Sequence, residues 1–211
     1  MNKQFFITGT DTGVGKTVLS AVLCAGLDAW YWKPVQTGTA EGTDRATVMR
    51  LAGIGAEHTL EETYSFVPPV SPHLAAHWAG VRIELERFRV PAEVGGQRLI
   101  VEGAGGVLVP LNERQFMLDL ILRLHMPVIL AARSGLGTIN HTLLSLAALH
   151  SAEVPVHGVV LIGEPNKDNR AAIERYGHTR VLGEIPMLAQ LQRSALLQVF
   201  LNHFERDAFP R

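Results

Sequence analysis

A short apolar run that leads into a glycine-rich loop and then into a helix constrains the fold more than any other feature of the sequence. Residues 4–8 read QFFIT, which predicts a buried strand. A glycine-rich loop from Gly9 to Gly15 follows, and the residues from Lys16 to about Leu27 read as a helix. A strand, a loop and a helix in this order are typical of α/β proteins with a parallel sheet.

The remainder of the chain continues the alternation of strands and helices. We predict further strands at 29–35, 98–106, 126–134, 156–163 and 179–186, and helices at 44–52, from 71–72 onward, and at 138–151, 169–177 and 191–204. Thr43 and Ser71 are the expected N-caps of the first two of these helices, and Gly177 should close the fourth. The proline-rich segment 61–73 predicts a loop up to that second helix.

The predicted strands are continuous runs of valine, isoleucine and leucine. Such runs indicate a parallel sheet that helices cover on both faces. We therefore expect an α/β fold with a mostly parallel central sheet of about six or seven strands. The 211 residues suffice for one domain with a full core, so we expect a single domain over residues 1–211.

The composition limits the classes of function. Hydrophobic residues make up 47% and charged residues 18%, which excludes a disordered chain. A net charge of -1 offers no basic surface, so we expect neither nucleic acid nor a membrane as a partner. The start of the chain lacks a signal-peptide pattern, and no apolar run reaches the roughly 18 residues of a membrane span.

The single cysteine, Cys24, lies among apolar residues and is interpreted as a small buried side chain rather than a catalytic thiol. A lone cysteine forms no intrachain disulfide, which suits a reducing compartment. The expected location is the cytoplasm.

The glycine loop has the chemistry of a phosphate site. Gly9 is followed by five residues before Gly15-Lys16-Thr17, one more than in the usual phosphate-binding loop. Glycines let backbone N–H groups converge on oxyanions, and a helix N-terminus adds partial positive charge. Lys16 would reach the β- and γ-phosphates and Thr17 would bind Mg²⁺, which predicts a P-loop NTPase-like domain. The alternative is a glycine turn with a surface lysine.

Two acidic residues are candidate metal ligands. Glu102 directly follows an apolar strand, where open α/β sheets bind their ligands, and Asp44 opens a helix after a polar glycine loop. The alternatives are a solvated glutamate at a strand end and a charge that compensates a helix dipole. Asp11 is a third acid, which we expect to order the loop or to approach the metal through water.

Lys33 lies at the end of an aromatic strand, at the same predicted sheet edge as the glycine loop. It could contact phosphate or an anionic substrate group, and the alternative is an exposed lysine in a turn.

His73 and His77 are four residues apart, but no third ligand lies near them in sequence, and Mg²⁺ prefers oxygen. We therefore do not expect a metal site at this pair.

Six motifs together resemble one family. TGTDTGVGKT, KPVQTG, SPH, VEGAGG, LGTINH and LGEIP occur in the order and spacing of dethiobiotin synthetases, from residue 8 to residue 186. The resemblance implies an ATP- and Mg²⁺-dependent ligase of biotin biosynthesis. Its substrate would be 7,8-diaminononanoate, which takes up CO₂ as a carbamate, is phosphorylated by ATP and closes to a cyclic urea. A homodimer with the substrate near the subunit interface is also implied.

The resemblance further implies residue roles. Lys33 and Lys16 would be catalytic, and Thr17, Asp44 and Glu102 would bind the metal. The nucleotide would contact Thr12, Gly13, Val14, Gly15, Lys16, Thr17, Val18, Asp44, Glu102, Gly103, Ala104, Gly105, Gly163, Ile185, Pro186 and Met187. The other substrate would contact Thr37, Ser71, Gly137, Thr138, Ile139 and Asn140.

Two positions depart from the family pattern. Many members carry an asparagine that reads the adenine edge where this chain has Ile162, so the base preference stays open; Asn166 is a possible substitute. Gln190 stands where some members have an acid near the ribose.

Three other functions fit the loop alone. An amidotransferase would need a glutaminase domain with a catalytic cysteine. A partitioning or switch ATPase typically has an additional lysine early in the loop, where this chain has Asp11 and Thr12. A non-catalytic nucleotide-binding module would leave Lys33 and Thr37 without a role.

Overall fold

A computed structural model describes residues 3–209 of the chain. Its strands are β1 Gln4–Gly9, β2 Trp30–Trp32, β3 Val35–Thr37, β4 Thr59–Leu60, β5 Tyr64–Phe66, β6 Leu99–Gly106, β7 Val128–Arg133, β8 Val156–Ile162 and β9 Val181–Ile185. Its α-helices are α1 Lys16–Leu27, α2 Asp44–Ala52, α3 Pro72–Trp78, α4 Met117–Leu124, α5 Thr138–Ser151, α6 Lys167–Gly177 and α7 Arg193–His203.

Seven of these strands form one parallel sheet in the order β4-β2-β6-β1-β7-β8-β9. The α/β prediction and the predicted number of strands are confirmed. That the chain is a single domain over residues 1–211 stays a prediction, and residues 1–2 and 210–211 lie outside the described residues.

The central strand β1 shows why the sheet is covered on both faces. Phe5 and Ile7 point to one side, where they join the cluster formed with α1, α2 and α7. Phe6 points to the other side and joins the cluster that contains Met117 and Leu120 of α4. Because successive side chains of a strand alternate between faces, a run without polar residues needs an apolar layer on each side.

The segment between β2 and α3 departs from the sequence prediction. The apolar run 29–35 divides at Pro34 into β2 and β3, and residues 64–66 of the predicted loop form β5 instead. β3 and β5 pair in parallel as a separate two-stranded sheet. The loop prediction was wrong there because Tyr64 and Phe66 bury their rings on one face while Ser65 is exposed, the alternation of a strand. The helix α4 was not predicted.

The predicted helix ends are partly confirmed. Thr43 caps α2 by accepting a hydrogen bond from the Ala46 N–H at 3.1 Å. Ser71 precedes α3 but makes no side-chain cap bond, because its Oγ lies 3.0 Å from His73 Nδ1 instead. The left-handed residue that ends α6 is His178, with φ 47°, and Gly177 is the last helical residue.

Within residues 3–209, none of the helices combines the length and the apolar character that crossing a membrane requires.

The half-buried ring of His157 in β8 makes stability depend on pH. Burial, with a further contribution from Arg180, lowers the pKa of His157 below its usual value. Phe5 packs on this ring at a centroid distance of 4.7 Å, and Phe209 at 5.6 Å. Because the pKa of His157 is lower in the folded than in the unfolded state, the neutral ring contributes to the free energy of unfolding above about pH 6.5. This contribution is lost as the pH falls.

We therefore expect His157→Gln to flatten the decline in the free energy of unfolding between about pH 7 and about pH 5. Urea denaturation of both proteins at both pH values measures the difference. An identical decline in the two proteins would contradict the assignment to His157.

Candidate functional site

The carboxyl ends of β2, β6 and β1 lie side by side and form the floor of a cleft of about 760 Å³. The glycine loop and the start of α1 form one wall, and the segment from β3 to α2 forms another. The cleft is lined by Thr12, Gly13, Gly15, Lys16, Thr17, Val18, Lys33, Gln36, Thr37, Gly38, Glu41, Gly42, Thr43, Asp44, Thr47, Pro69, Val70, Ser71, Pro72, Glu102, Ala104, Gly105 and Val109.

The glycine loop folds as phosphate binding requires. Gly13 and Gly15 have φ 70° and 102°, in the left-handed region that favours glycine. Lys16 Nζ lies back against its own loop, 3.0 Å from the Asp11 carbonyl oxygen. Burial and the neighbouring Lys33 lower the pKa of Lys16 to about 8. An anion that approached this buried ammonium would therefore stabilise its charged form.

The carboxylate of Glu102 is the centre of the site and is 1% exposed. Its Oε1 lies 3.0 Å from Thr17 Oγ1 and 2.9 Å from Lys33 Nζ. Its Oε2 accepts hydrogen bonds from Ser20 Oγ at 2.8 Å and Tyr31 OH at 3.0 Å. The charge is thus paired with the Lys33 ammonium, and three hydroxyl groups contact the carboxylate oxygens, which is what burial of a carboxylate demands.

Lys33 is also buried, and each of its three protons has an acceptor. Its Nζ lies 2.8 Å from Asp44 Oδ2, 2.9 Å from Glu102 Oε1 and 3.0 Å from the Gly103 carbonyl oxygen. Burial alone would lower the pKa of Lys33, but Glu102 and Asp44 outweigh it and the pKa is raised. Lys33 is therefore a permanent cation in this structure, and the alternative of an exposed turn lysine is wrong.

Asp44 completes the cluster from α2. Burial alone would raise its pKa, but Lys33 and the Thr17 hydroxyl outweigh this and lower it. Its backbone N–H donates to Gln36 Oε1 at 3.1 Å, which ties the start of α2 to β3. Thr17 Oγ1 lies 2.9 Å from Asp44 Oδ1, so the Thr17 hydroxyl bridges the carboxylates of Asp44 and Glu102.

The three oxygens fit a divalent cation that prefers oxygen. Thr17 Oγ1, Asp44 Oδ1 and Glu102 Oε1 are hard ligands at the entrance of the glycine loop, as Mg²⁺ requires. Within residues 3–209, no three histidine, cysteine or acidic side chains are grouped so that they could hold a metal. That His73 and His77 form no metal site stays a prediction.

Sequence comparison identifies the family. An AAA domain family model matches residues 3–195. The chain is 48% identical over 205 residues to the ATP-dependent dethiobiotin synthetase BioD of Novosphingobium aromaticivorans, over 97% of this chain and 98% of the relative. It is 46% identical over 209 residues to the protein of the same name from Brucella anthropi, over 99% and 98%. The chain belongs to the dethiobiotin synthetase family.

A solved structure of a ParA family ATPase from Chlorobium tepidum shares the fold of this dethiobiotin synthetase chain. The TM-score is 0.55 at 13% identity, over 94% of this chain and 90% of the other. At this identity the likeness supports the α/β architecture alone.

Most residues that the dethiobiotin synthetase motifs indicate line the cleft, including Thr37 and Ser71. Val14 is buried, with its side chain in the core, and Gly103 supplies the carbonyl that accepts from Lys33. Gly137, Thr138, Ile139 and Asn140 lie at the start of α5 and do not line the cleft.

The residues expected near the base also lie outside the cleft. Gly163, Ile185, Pro186 and Met187 follow or end β8 and β9; Ile185 is buried in the core. Ile162 packs directly on the glycine loop, since a Cβ built at Gly15 would lie 3.0 Å from its Cδ1. The side chain of Asn166 accepts from the Asn169 N–H at 2.9 Å and thereby caps α6.

Sequence reasoning missed three residues that contact this cluster: Ser20, Tyr31 and Gln36. Ser20 follows Thr17 by three residues on α1, and Tyr31 precedes Lys33 by two residues. These spacings were the available signal, because residues three apart in a helix or two apart in an extended segment share a face.

As expected, Asp11 orders the loop, since its Oδ1 accepts from the Thr12 N–H at 2.7 Å and its Oδ2 lies 3.5 Å from Arg133 Nη2.

The buried ion pairs predict a large effect of Lys33 on stability. Lys33→Met should lower the free energy of unfolding by roughly 3 kcal/mol, because it leaves the Glu102 carboxylate buried without its cation. The matched control is Arg82→Met, since the Arg82–Glu113 pair at 3.6 Å is exposed and should contribute almost nothing. Urea denaturation at neutral pH measures the free energy of unfolding of both variants. An equal loss in Lys33→Met and Arg82→Met would refute the stabilising role of the buried ion pairs.

Proposed function

We propose that this protein is an ATP-dependent dethiobiotin synthetase that carboxylates and cyclises 7,8-diaminononanoate. The observation that carries the proposal is the juxtaposition of a phosphate loop with the buried Lys33–Glu102–Asp44 cluster. The name of the relatives that are 46–48% identical over nearly their whole length supports it.

The reaction forms three bonds in sequence. One amine of the substrate attacks CO₂ and loses a proton, which gives a carbamate. A carbamate oxygen then attacks the γ-phosphorus of ATP, and ADP leaves. The second amine finally attacks the carbonyl carbon of the mixed anhydride and loses a proton, phosphate leaves with the electrons of the broken C–O bond, and the cyclic urea is closed.

Phosphoryl transfer asks the protein mainly for positioning and for charge neutralisation. In the proposal, Lys16 and the backbone N–H groups of the glycine loop bind the β- and γ-phosphates. Thr17, Asp44 and Glu102 would hold Mg²⁺, which when bound neutralises charge on the phosphates. The fit of these oxygens to a hard cation supports this assignment.

Lys33 is the proposed catalytic residue for the carbamate. It is a buried cation that lines the same cleft as Thr37 and Ser71. There its charge would stabilise the carbamate oxygen and the phosphate that it acquires. Thr37 and Ser71 would orient the diamine.

The remaining assignments extend the proposal beyond the cleft. The N–H groups at the start of α5, residues 137–140, would bind the substrate carboxylate across a homodimer interface, since they lie outside the cleft of their own chain. The nucleotide base would lie near Gly163 and Ile185 to Met187, with Ile162 between it and the loop. The protein would act in the cytoplasm.

The direct test supplies diaminononanoate, bicarbonate and Mg²⁺ with ATP, GTP or CTP in parallel. We expect the cyclic urea by mass spectrometry with ATP. Because an aliphatic side chain at Ile162 offers the base no hydrogen bond, we expect only modest discrimination among the three nucleotides. No product with any of them would reject the synthetase function.

Two lysine variants separate the proposed roles. Lys16→Ala should abolish turnover through loss of phosphate contacts, and Lys33→Ala should lower kcat by about 100-fold or more through loss of transition-state charge stabilisation. Lys3→Ala is the control, since Lys3 is exposed at the opposite end of β1. Folding is checked by circular dichroism, and full activity of Lys33→Ala would remove it from the mechanism.

A further inference from the structure

The donors around Glu102 are arranged in two pairs, one from α1 and one from the end of β2. In each pair, one residue reaches Oε1 and the other reaches Oε2. Thr17 and Lys33 contact Oε1 on the side of the cleft, and Ser20 and Tyr31 contact Oε2 on the side of the core.

The backbone explains this arrangement. Thr17 and Ser20 are three residues apart on α1, so both point toward β6 from one helix face. Tyr31 and Lys33 are two residues apart in an extended segment, so both point to the same side of the sheet. The register of β2 with β6 pairs Trp32 with Val101 and so brings the next residue of each strand, Lys33 and Glu102, together.

The inner pair has no access to solvent or to a ligand. Ser20 and Tyr31 are both 0% exposed, and neither lines the cleft. Both are neutral donors, so they contribute no charge to the site. Their hydrogen bonds fix the rotation of the carboxylate about its terminal bond, which leaves Oε1 alone toward the cleft.

We propose that Tyr31, together with Ser20, is a positioning residue that presents one oxygen of Glu102 to the divalent cation. This inference rests on the proposed function, which places the cation between Thr17, Asp44 and Glu102. Without the inner donors, the carboxylate rotates, and either oxygen competes for Lys33 and the cation. Groups that orient metal ligands in this way commonly contribute about tenfold or more to metal affinity.

The test compares Tyr31→Phe with Tyr64→Phe. Each removes one buried tyrosine hydroxyl that makes a single 3.0 Å hydrogen bond, but Tyr64 OH accepts from the Glu84 N–H and does not contact the carboxylates. Mn²⁺ affinity is measured by electron paramagnetic resonance in the presence of a non-hydrolysable ATP analogue. The Mg²⁺ concentration for half-maximal rate and the KM for diaminononanoate are measured in parallel.

We expect Tyr31→Phe to weaken Mn²⁺ binding and to raise the Mg²⁺ requirement about tenfold, with little change in the KM for diaminononanoate. Tyr64→Phe should match the wild type in all three measurements, although it also removes a buried hydroxyl. Ser20→Ala removes the other Oε2 donor and should also weaken Mn²⁺ binding. If Tyr31→Phe does not fold, Ser20→Ala is compared with the wild type instead.

Equal Mn²⁺ affinity in the wild type, Tyr31→Phe and Ser20→Ala would overturn the positioning role. The Mn²⁺ measurement does not depend on the reaction. A wild-type protein that binds Mn²⁺ with the nucleotide analogue but forms no cyclic urea would therefore reject the proposed function, while the comparison of the two tyrosine variants would still decide the role of Tyr31.

Discussion

The buried ion pair between Lys33 and Glu102 is the interaction on which the site depends. Both side chains are at most 5% exposed, so each charge would be very costly without the other. The pair is possible because β2 and β6 are neighbours in a register that places Lys33 beside Glu102, and because α1 and α2 contribute hydroxyl and carboxylate partners at the same point. The fold and the charges of the site are therefore coupled, because the same elements that pack the core, β2, β6, α1 and α2, also bring Lys33, Glu102 and Asp44 together.

The sequence predicted the elements whose signals are local. The bounds of α1 and α5 agree with the prediction, because a glycine turn opens each helix and apolar residues recur along it. The segment that forms β5 was predicted as loop because its strand is three residues long and is stabilised by tertiary contacts, namely pairing with β3 and burial of Tyr64 and Phe66 in the core. The helix α4 carried a signal that was not used, since Met117, Leu120 and Ile121 have helical spacing and are buried.

The site was predictable in its charged residues and not in their arrangement. Lys33 and Glu102 after apolar runs, and Asp44 at the start of a helix, indicated that these three residues would lie near the glycine loop. The hydroxyl groups of Ser20 and Tyr31 could not be assigned, because a buried serine or tyrosine has many possible partners. The register of β2 on β6 selects Glu102 for Tyr31, and the packing of α1 against β6 selects it for Ser20. Lys33 was expected to be available to a ligand, whereas the structure shows its ammonium already held by three acceptors.

Because all three protons of the Lys33 ammonium already have acceptors, the site restricts which chemical groups can contact it. Any group that is to contact the ammonium has to displace a carboxylate or the Gly103 carbonyl, and only another anion competes with those oxygens on equal footing. A neutral amine can accept a hydrogen bond from the ammonium but carries no negative charge, whereas the carbamate that the amine forms with CO₂ carries it. In the proposed reaction, the same residue that neutralises the phosphorylated species would thus distinguish a substrate that has captured CO₂ from one that has not.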